Sequence, residues 1–141
     1  MLLIDASIAM YAAGAAHAYK APSAAVLALA AAGGVHAVVD AEMLQEILHR
    51  YRAIGRASDG ERVYALVRQS LPEVVAITAE VMDAANALLA GLPTASCRDA
   101  VHAAVALQLG AQICSHDRDF DGFVGVSRVE PEALLAARAG R

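Results

Sequence analysis

Short apolar runs alternate with amphipathic stretches along the whole chain, and this alternation predicts strands interleaved with helices. Leu2-Leu3-Ile4 ends in Asp5, as a buried parallel strand would, and Ser7 is placed to cap a helix from Ile8 to Ala18. Pro22-Ser23 interrupts the chain and opens a helix from Ala24 to Ala32. Gly33-Gly34 stops it, and Val35 to Val39 reads as the second strand. From Ala41 to Ile54 the residues Met43, Leu44, Ile47, Leu48 and Tyr51 recur at three- and four-residue spacing, which gives one apolar stripe on a helix ended by Gly55. A helix over Glu61 to Leu71 is broken by Pro72, a β-branched run follows at Val74 to Ile77, and Thr78 caps a helix to Ala90. The remainder predicts a helix from Arg98 to Leu109, strands at Ala111 to Ser115 and Val124 to Val129, and a last helix from Pro131.

Alternation of this kind implies an α/β fold, a mostly parallel sheet with helices on both faces and right-handed crossovers. The length of 141 residues suits one domain over 1–141, and neither a repeat nor a long linker argues for a second. Alanine fills about a quarter of the chain and favours helix. With 58% hydrophobic and 18% charged residues the chain has ample material for a core and too little charge for disorder. No apolar run approaches the 18–20 or so residues of a membrane span, and the acid after MLLI argues against a secretory segment. A soluble cytoplasmic protein without a membrane partner is the expectation. Cys97 and Cys114 form no metal-binding pattern and read as buried small hydrophobes. The balance of 11 basic against 15 acidic residues weighs against a nucleic-acid partner.

The position of the acids changes that picture. Asp5 ends the first strand, Asp99 opens a late helix, and Asp117, Asp119 and Asp121 follow the strand ending at Ser115, so three loci place carboxylates at the edge where parallel sheets bind ligands. Glu46, on the helix after the second strand, can reach the same edge, with Glu42 as its competitor. Converging like charges need retained protons or a cation, and oxygen-only ligands favour Mg²⁺ or Mn²⁺. Such an ion stabilises charge on a phosphate during displacement, which implies phosphodiester hydrolysis. Each acid also has a local explanation: Asp5 and Asp99 suit helix N-termini, Glu46 a surface, and the three late aspartates a solvated turn.

Four segments, LLIDAS, VVDAEMLQEILHRY, SCRDAVHAAVA and ICSHDRDFD, in this order and over nearly the whole length, resemble the PIN-domain ribonucleases, in particular the VapC-type toxins of type II toxin-antitoxin systems. The resemblance implies a three-layer α/β/α fold, a Mg²⁺-dependent endoribonuclease acting on RNA, a cognate VapB-like antitoxin, and a homodimer. It implies catalytic acids at Asp5, Glu46, Asp99 and Asp117, with Asp5 and Asp99 closest to the metal. Ser7 is the usual hydroxyl neighbour of the first acid, Ser115 takes the place of a frequent Thr, and Asp119 is the alternative to Asp117. Ala6 departs from the pattern, standing where many relatives have Thr. The competing reading is a catalytically inactive PIN-like protein-interaction domain whose acids are structural.

Other acidic-edged folds fit poorly. Lys20 is the only lysine and lies too early for a receiver domain, Ser7 stands where a dehalogenase-type phosphatase needs its second acid, and no glycine-rich phosphate loop occurs. Arg98 and Arg118 adjoin candidate acids and are the expected substrate contacts, whereas Arg50, Arg52 and Arg56 form either a phosphate-contacting rim or a solvated helix face. Among the histidines, only His116, next to Asp117, is placed to meet a substrate phosphate. Apolar residues beyond what one sheet face needs, such as Met10, Leu29 and Leu66, suggest partner surfaces or further core.

Overall fold

The computed structural model describes residues 1–140. Its elements run β1 (Leu2–Ile4), α1 (Ala6–Ala13), α2 (Lys20–Ala31), β2 (Ala37–Asp40), α3 (Ala41–Ala53), α4 (Ala57–Ser70), β3 (Val74–Val75), α5 (Ala79–Ala90), α6 (Cys97–Leu109), β4 (Gln112–Cys114), a 3-10 turn (Arg118–Gly122), β5 (Arg128–Val129) and α7 (Pro131–Ala139). The five strands form one sheet in the order β3-β2-β1-β4-β5. Every neighbouring pair is parallel. The strands are short, and the central β1, β2 and β4 are buried, so these read as apolar runs rather than as alternation.

Strand order explains where a site can form. The chain moves outward from β1 to β2 and β3, then crosses back to β4 on the other side of β1. With right-handed crossovers, the helices of the outward path cover one face and α5 and α6 the other, which gives the three-layer α/β/α architecture. The order reverses between β1 and β4, and the carboxyl ends of strands flanking such a switch open a crevice. Asp5 and Ser115 are the residues that leave β1 and β4 at that point.

The core joins β1, β2 and β4 to the inner faces of the helices, with Leu3, Ile4, Ile8, Val38, Met43, Ile47, Ile113 and Phe120 fully buried. In α6 the whole run from Ala100 to Ala106 is buried, and its small side chains let the helix lie close over the sheet. Gly110 ends α6 in the left-handed conformation, at φ 61°, where a side chain would be strained. Gly60 allows α4 to approach α3, because a Cβ there would stand 2.7 Å from Cβ of Tyr51.

Several boundaries differ from the sequence reading. The first helix begins at Ala6 with Asp5 as its N-cap residue rather than Ser7, and it stops at Ala13. Beyond it, Tyr11, His17 and Tyr19 pack ring against ring, and Lys20 Nζ donates to the Gly14 carbonyl, so tertiary packing overrides the helix propensity of Ala15 and Ala16. Pro22 does not break the second helix but sits in its first turn, where a missing N–H leaves no bond unmade. The fourth helix starts at Ala57, earlier than expected, with Asp59 in its first turn paired to Arg56 and Arg62. Cys97 is exposed at the start of α6, not buried, whereas Cys114 is buried and its thiol is pushed up to about 12 by that burial. No helix among the described residues is long and apolar enough to cross a membrane.

Candidate active site

Asp5 leaves β1 at the switch point, and its backbone N–H donates to the Cys114 carbonyl at 3.1 Å, tying the two strand ends together. Its carboxylate is buried, at 6% exposure, and Oδ2 accepts from Ser7 Oγ and, at 2.8 Å, from Ser115 Oγ. Ser115 Oγ in turn accepts the Asp117 N–H at 2.9 Å, so one hydroxyl links the first and last candidate acids. Burial pushes the Asp5 carboxyl above its ordinary range, and the nearby Glu46 charge adds to this, despite hydrogen bonds from the two serines and the charge of His102.

Glu46 sits in the second turn of α3, on its buried face. The helix is anchored by Asp40, whose Oδ1 accepts the Met43 N–H at 2.8 Å as N-cap. One oxygen of Glu46 lies 3.0 Å from Arg50 and 3.3 Å from Arg98, and the other faces His102 Nε2 at 3.5 Å. Burial alone would raise this carboxyl, but the contact with His102 and the charges of Arg50, His102 and Arg98 outweigh it and hold the group below its usual value. Glu42, one turn earlier, pairs only with Arg98 at 3.7 Å.

Asp99 occupies the first turn of α6, capped by Ser96, whose Oγ accepts the Asp99 N–H at 3.0 Å. Half-buried, its carboxyl is raised by burial and then by the charges of Asp117 and Asp5, against the Ser96 hydrogen bond and His102. Asp117 and Asp119 are exposed. Asp117 Oδ1 caps the 3-10 turn by accepting the Asp119 N–H at 2.9 Å. Asp5, Glu46, Asp99 and Asp117 line one cleft of about 260 Å³ together with Ser7 and Arg50. Asp119 lines a neighbouring hollow that also touches Asp99. Two larger hollows nearby contain no acid, so chemistry rather than size marks the site.

The acids fall into two groups that could each grip a cation. In one, Asp5, Glu46 and His102 offer ligand atoms within 4.8 Å of one another; in the other, Asp99, Asp117 and Asp119 do so. Arg98 is engaged with Glu46 and Glu42 rather than pointing free at a substrate, and Arg118 is exposed at the start of the 3-10 turn. Arg50 belongs to the cleft, while Arg56 is turned to Asp59 and lies over the Tyr51 ring.

Sequence reasoning missed Asp40 and His102. His102 is fully buried in α6, its Nδ1 lies 2.6 Å from Asp40 Oδ2, and its pKa is raised to about 10 because these carboxylates outweigh the burial that would lower it. The available signal was spacing: His102 stands three residues after Asp99, so both lie on neighbouring positions of one helix face.

The PIN-domain family pattern matches residues 2–125. The chain belongs to the PIN-domain family. It is 37% identical over 130 residues to a VapC ribonuclease of Mycobacterium bovis and equally to ribonuclease VapC13 of Mycobacterium tuberculosis, covering 92% of this chain and 99% of each relative. Among solved structures, the VapBC2 complex of Rickettsia felis bound to a promoter DNA fragment superposes with TM-score 0.74 at 14% identity, over 92% of this chain and 97% of the other. Mycobacterium tuberculosis VapC20, a sarcin-ricin loop cleaving toxin, gives 0.72 at 19% identity, over 89% and 98%. These two likenesses show the PIN fold.

Nucleases of the PIN family generally depend on a divalent metal, and the residues here fit one. The donors are carboxylate oxygens suited to a hard ion. Asp5 and Asp99 are both held above their ordinary range by burial and neighbouring acids, a cost that a cation would relieve. His102, held protonated, faces Glu46 at 3.5 Å and so supports the carboxylates rather than ligating an ion.

Proposed function

We propose that this PIN domain is a Mg²⁺-dependent endoribonuclease toxin that hydrolyses RNA phosphodiester bonds. The observation that carries this reading is the meeting of Asp5, Glu46, Asp99 and Asp117 in one cleft at the β1/β4 switch point, from four separate places in the chain. The named relatives, both ribonucleases and both aligned over nearly their whole length, support it. The two larger hollows that share Arg50 with the cleft are lined by no acid.

In this reading Asp5 and Asp99, one from each group, hold the ion between them across the cleft, with Asp117 beside Asp99 and Asp119 as its substitute. When bound, Mg²⁺, or Mn²⁺ in its place, supplies positive charge to the scissile phosphate and makes water a better nucleophile. Ser7 and Ser115 fix one oxygen of Asp5 and so leave the other for the cleft. Glu46 is kept ionised by Arg50, Arg98 and His102, ready to accept a hydrogen bond or proton at its carboxylate. Arg118, exposed beside Asp117, is the free cation best placed to meet an RNA phosphate, and Arg98 would first have to leave Glu46 and Glu42.

A VapB-like antitoxin that covers the cleft, a homodimer, and residence in the cytoplasm with the RNA complete the proposal. The fold shared with the VapBC2 complex and with FitAcB of Neisseria gonorrhoeae, at TM-score 0.69 and 13% identity, is consistent with a paired toxin. The test is cleavage mapping on total RNA with purified wild type and Asp5→Asn, with and without Mg²⁺. Discrete cuts that need both Mg²⁺ and Asp5 are expected. A protein that binds neither Mg²⁺ nor Mn²⁺ and cuts nothing would instead be the inactive interaction domain.

A further inference from the structure

The cleft has an aromatic wall whose composition is unusual for this chain. The sequence contains two Phe, four Tyr and no Trp. Both Phe are buried in the core, Tyr51 is buried, and Tyr64 is packed against the core. The two remaining tyrosines, Tyr11 and Tyr19, both line the cleft with Asp5, Asp99 and Asp117. Tyr19 is the exposed aromatic residue of the described chain, at 36%.

These rings are held rather than loose. Tyr19 lies flat on His116, with centroids 3.7 Å apart and planes 8° from parallel. Tyr11 meets both rings edge-on, at 5.2 Å from Tyr19 and 5.6 Å from His116. Ser23 Oγ lies 3.3 Å from His116 Nε2 and fixes that ring from α2. A rigid tyrosine backed by a second ring, with its exposure on the rim of an acidic cleft, serves no need of the core. Acids repel phosphate, so affinity on this side of the cleft has to come from elsewhere, and the flat faces of unpaired bases are the part of RNA that aromatic rings bind.

We propose that Tyr19, backed by His116 and Tyr11, is a stacking subsite for an unpaired nucleobase next to the scissile phosphate. This inference rests on the nuclease reading, and its test separates the two. Binding is measured with an oligoribonucleotide hairpin carrying 2-aminopurine in its loop, using full-length Asp5→Asn protein with Tyr19 intact or changed to Leu, Phe or Trp. Stacking quenches the 2-aminopurine fluorescence. Quenching and affinity should follow ring area, with Trp and Phe near or above Tyr and with Leu weaker by about tenfold. In the Asp5-intact protein, Tyr19→Leu should raise KM for the hairpin by a similar factor while kcat moves less. A fully paired duplex of the same sequence should be a poor ligand for every variant. Equal quenching by the Leu and Tyr proteins, or equal affinity for hairpin and duplex, overturns the subsite. A wild-type protein that quenches but never cleaves overturns the nuclease reading and leaves the base subsite standing.

Discussion

Asp40 Oδ2 and His102 Nδ1 stand 2.6 Å apart although 62 residues separate them, and neither side chain reaches solvent. The pair joins the end of β2 to the middle of α6, and through the Asp40 cap on α3 it reaches the helix that carries Glu46. It therefore holds two of the elements that supply candidate acids, and His102 sits between Asp40 and Glu46 with one ring nitrogen toward each.

Removing one partner of this pair leaves the other buried and uncompensated, so His102→Ala should cost about 3–5 kcal/mol of stability. The pH dependence has a definite sign. Because the folded-state pKa of His102 is raised to about 10, the folded protein holds the proton more tightly than the unfolded chain. That contribution is complete below about pH 6.5 and is lost as pH climbs toward 10. Thermal melts of metal-free protein should show the gap between wild type and His102→Gln narrowing from pH 6 to pH 10; a gap that widens would show that the histidine is neutral in the fold.

Asp99 is held at a cost to the metal-free fold. Its carboxyl is raised by burial and by Asp117 and Asp5, so ionisation at pH 7 disfavours the folded state. Asp99→Asn should therefore raise the metal-free melting temperature. The same variant should lose the further rise that Mg²⁺ or Mn²⁺ gives wild type. Differential scanning fluorimetry with and without metal reads both effects.

Gly60 sets how closely α4 meets α3. An added methyl would lie 2.7 Å from Cβ of Tyr51, a backbone-proximal atom that cannot swing away. Gly60→Ala should cost about 1–3 kcal/mol by overpacking, despite the better helix propensity of alanine. Because Tyr51 shares α3 with Glu46, activity should fall more than the loss of folded protein explains, which is checked by active-site titration at a temperature where the variant remains folded.

The sequence made the outer frame of the site readable, and the reason is local. Asp5 closes an apolar strand and Asp99 opens a helix after Ser96, so each is placed by its immediate neighbours. Glu46 could be separated from Glu42 by the family resemblance, and the apolar stripe of α3 turns the same residue inward. Asp40 and His102 depend on contact between β2 and α6, which no periodicity within either segment records. The aromatic wall was hidden for the same reason. Tyr11, Tyr19 and His116 come from three segments, and their packing shortened α1 against the propensity of its alanines. The net charge of −4 pointed away from RNA because it counted as surface four acids that the fold gathers into one cleft.

The most direct measurement is the rate at which a defined loop-containing RNA is cut, as a function of Mg²⁺ concentration, by wild type, Asp5→Asn and Asp99→Asn. Cleavage by wild type should rise with Mg²⁺ and vanish in chelator. Either substitution should lower the rate at saturating metal by more than the 10–100-fold or so typical of losing a supporting partner. Cleavage that persists in chelator, or that survives both substitutions, would contradict a metal-dependent nuclease centred on Asp5 and Asp99.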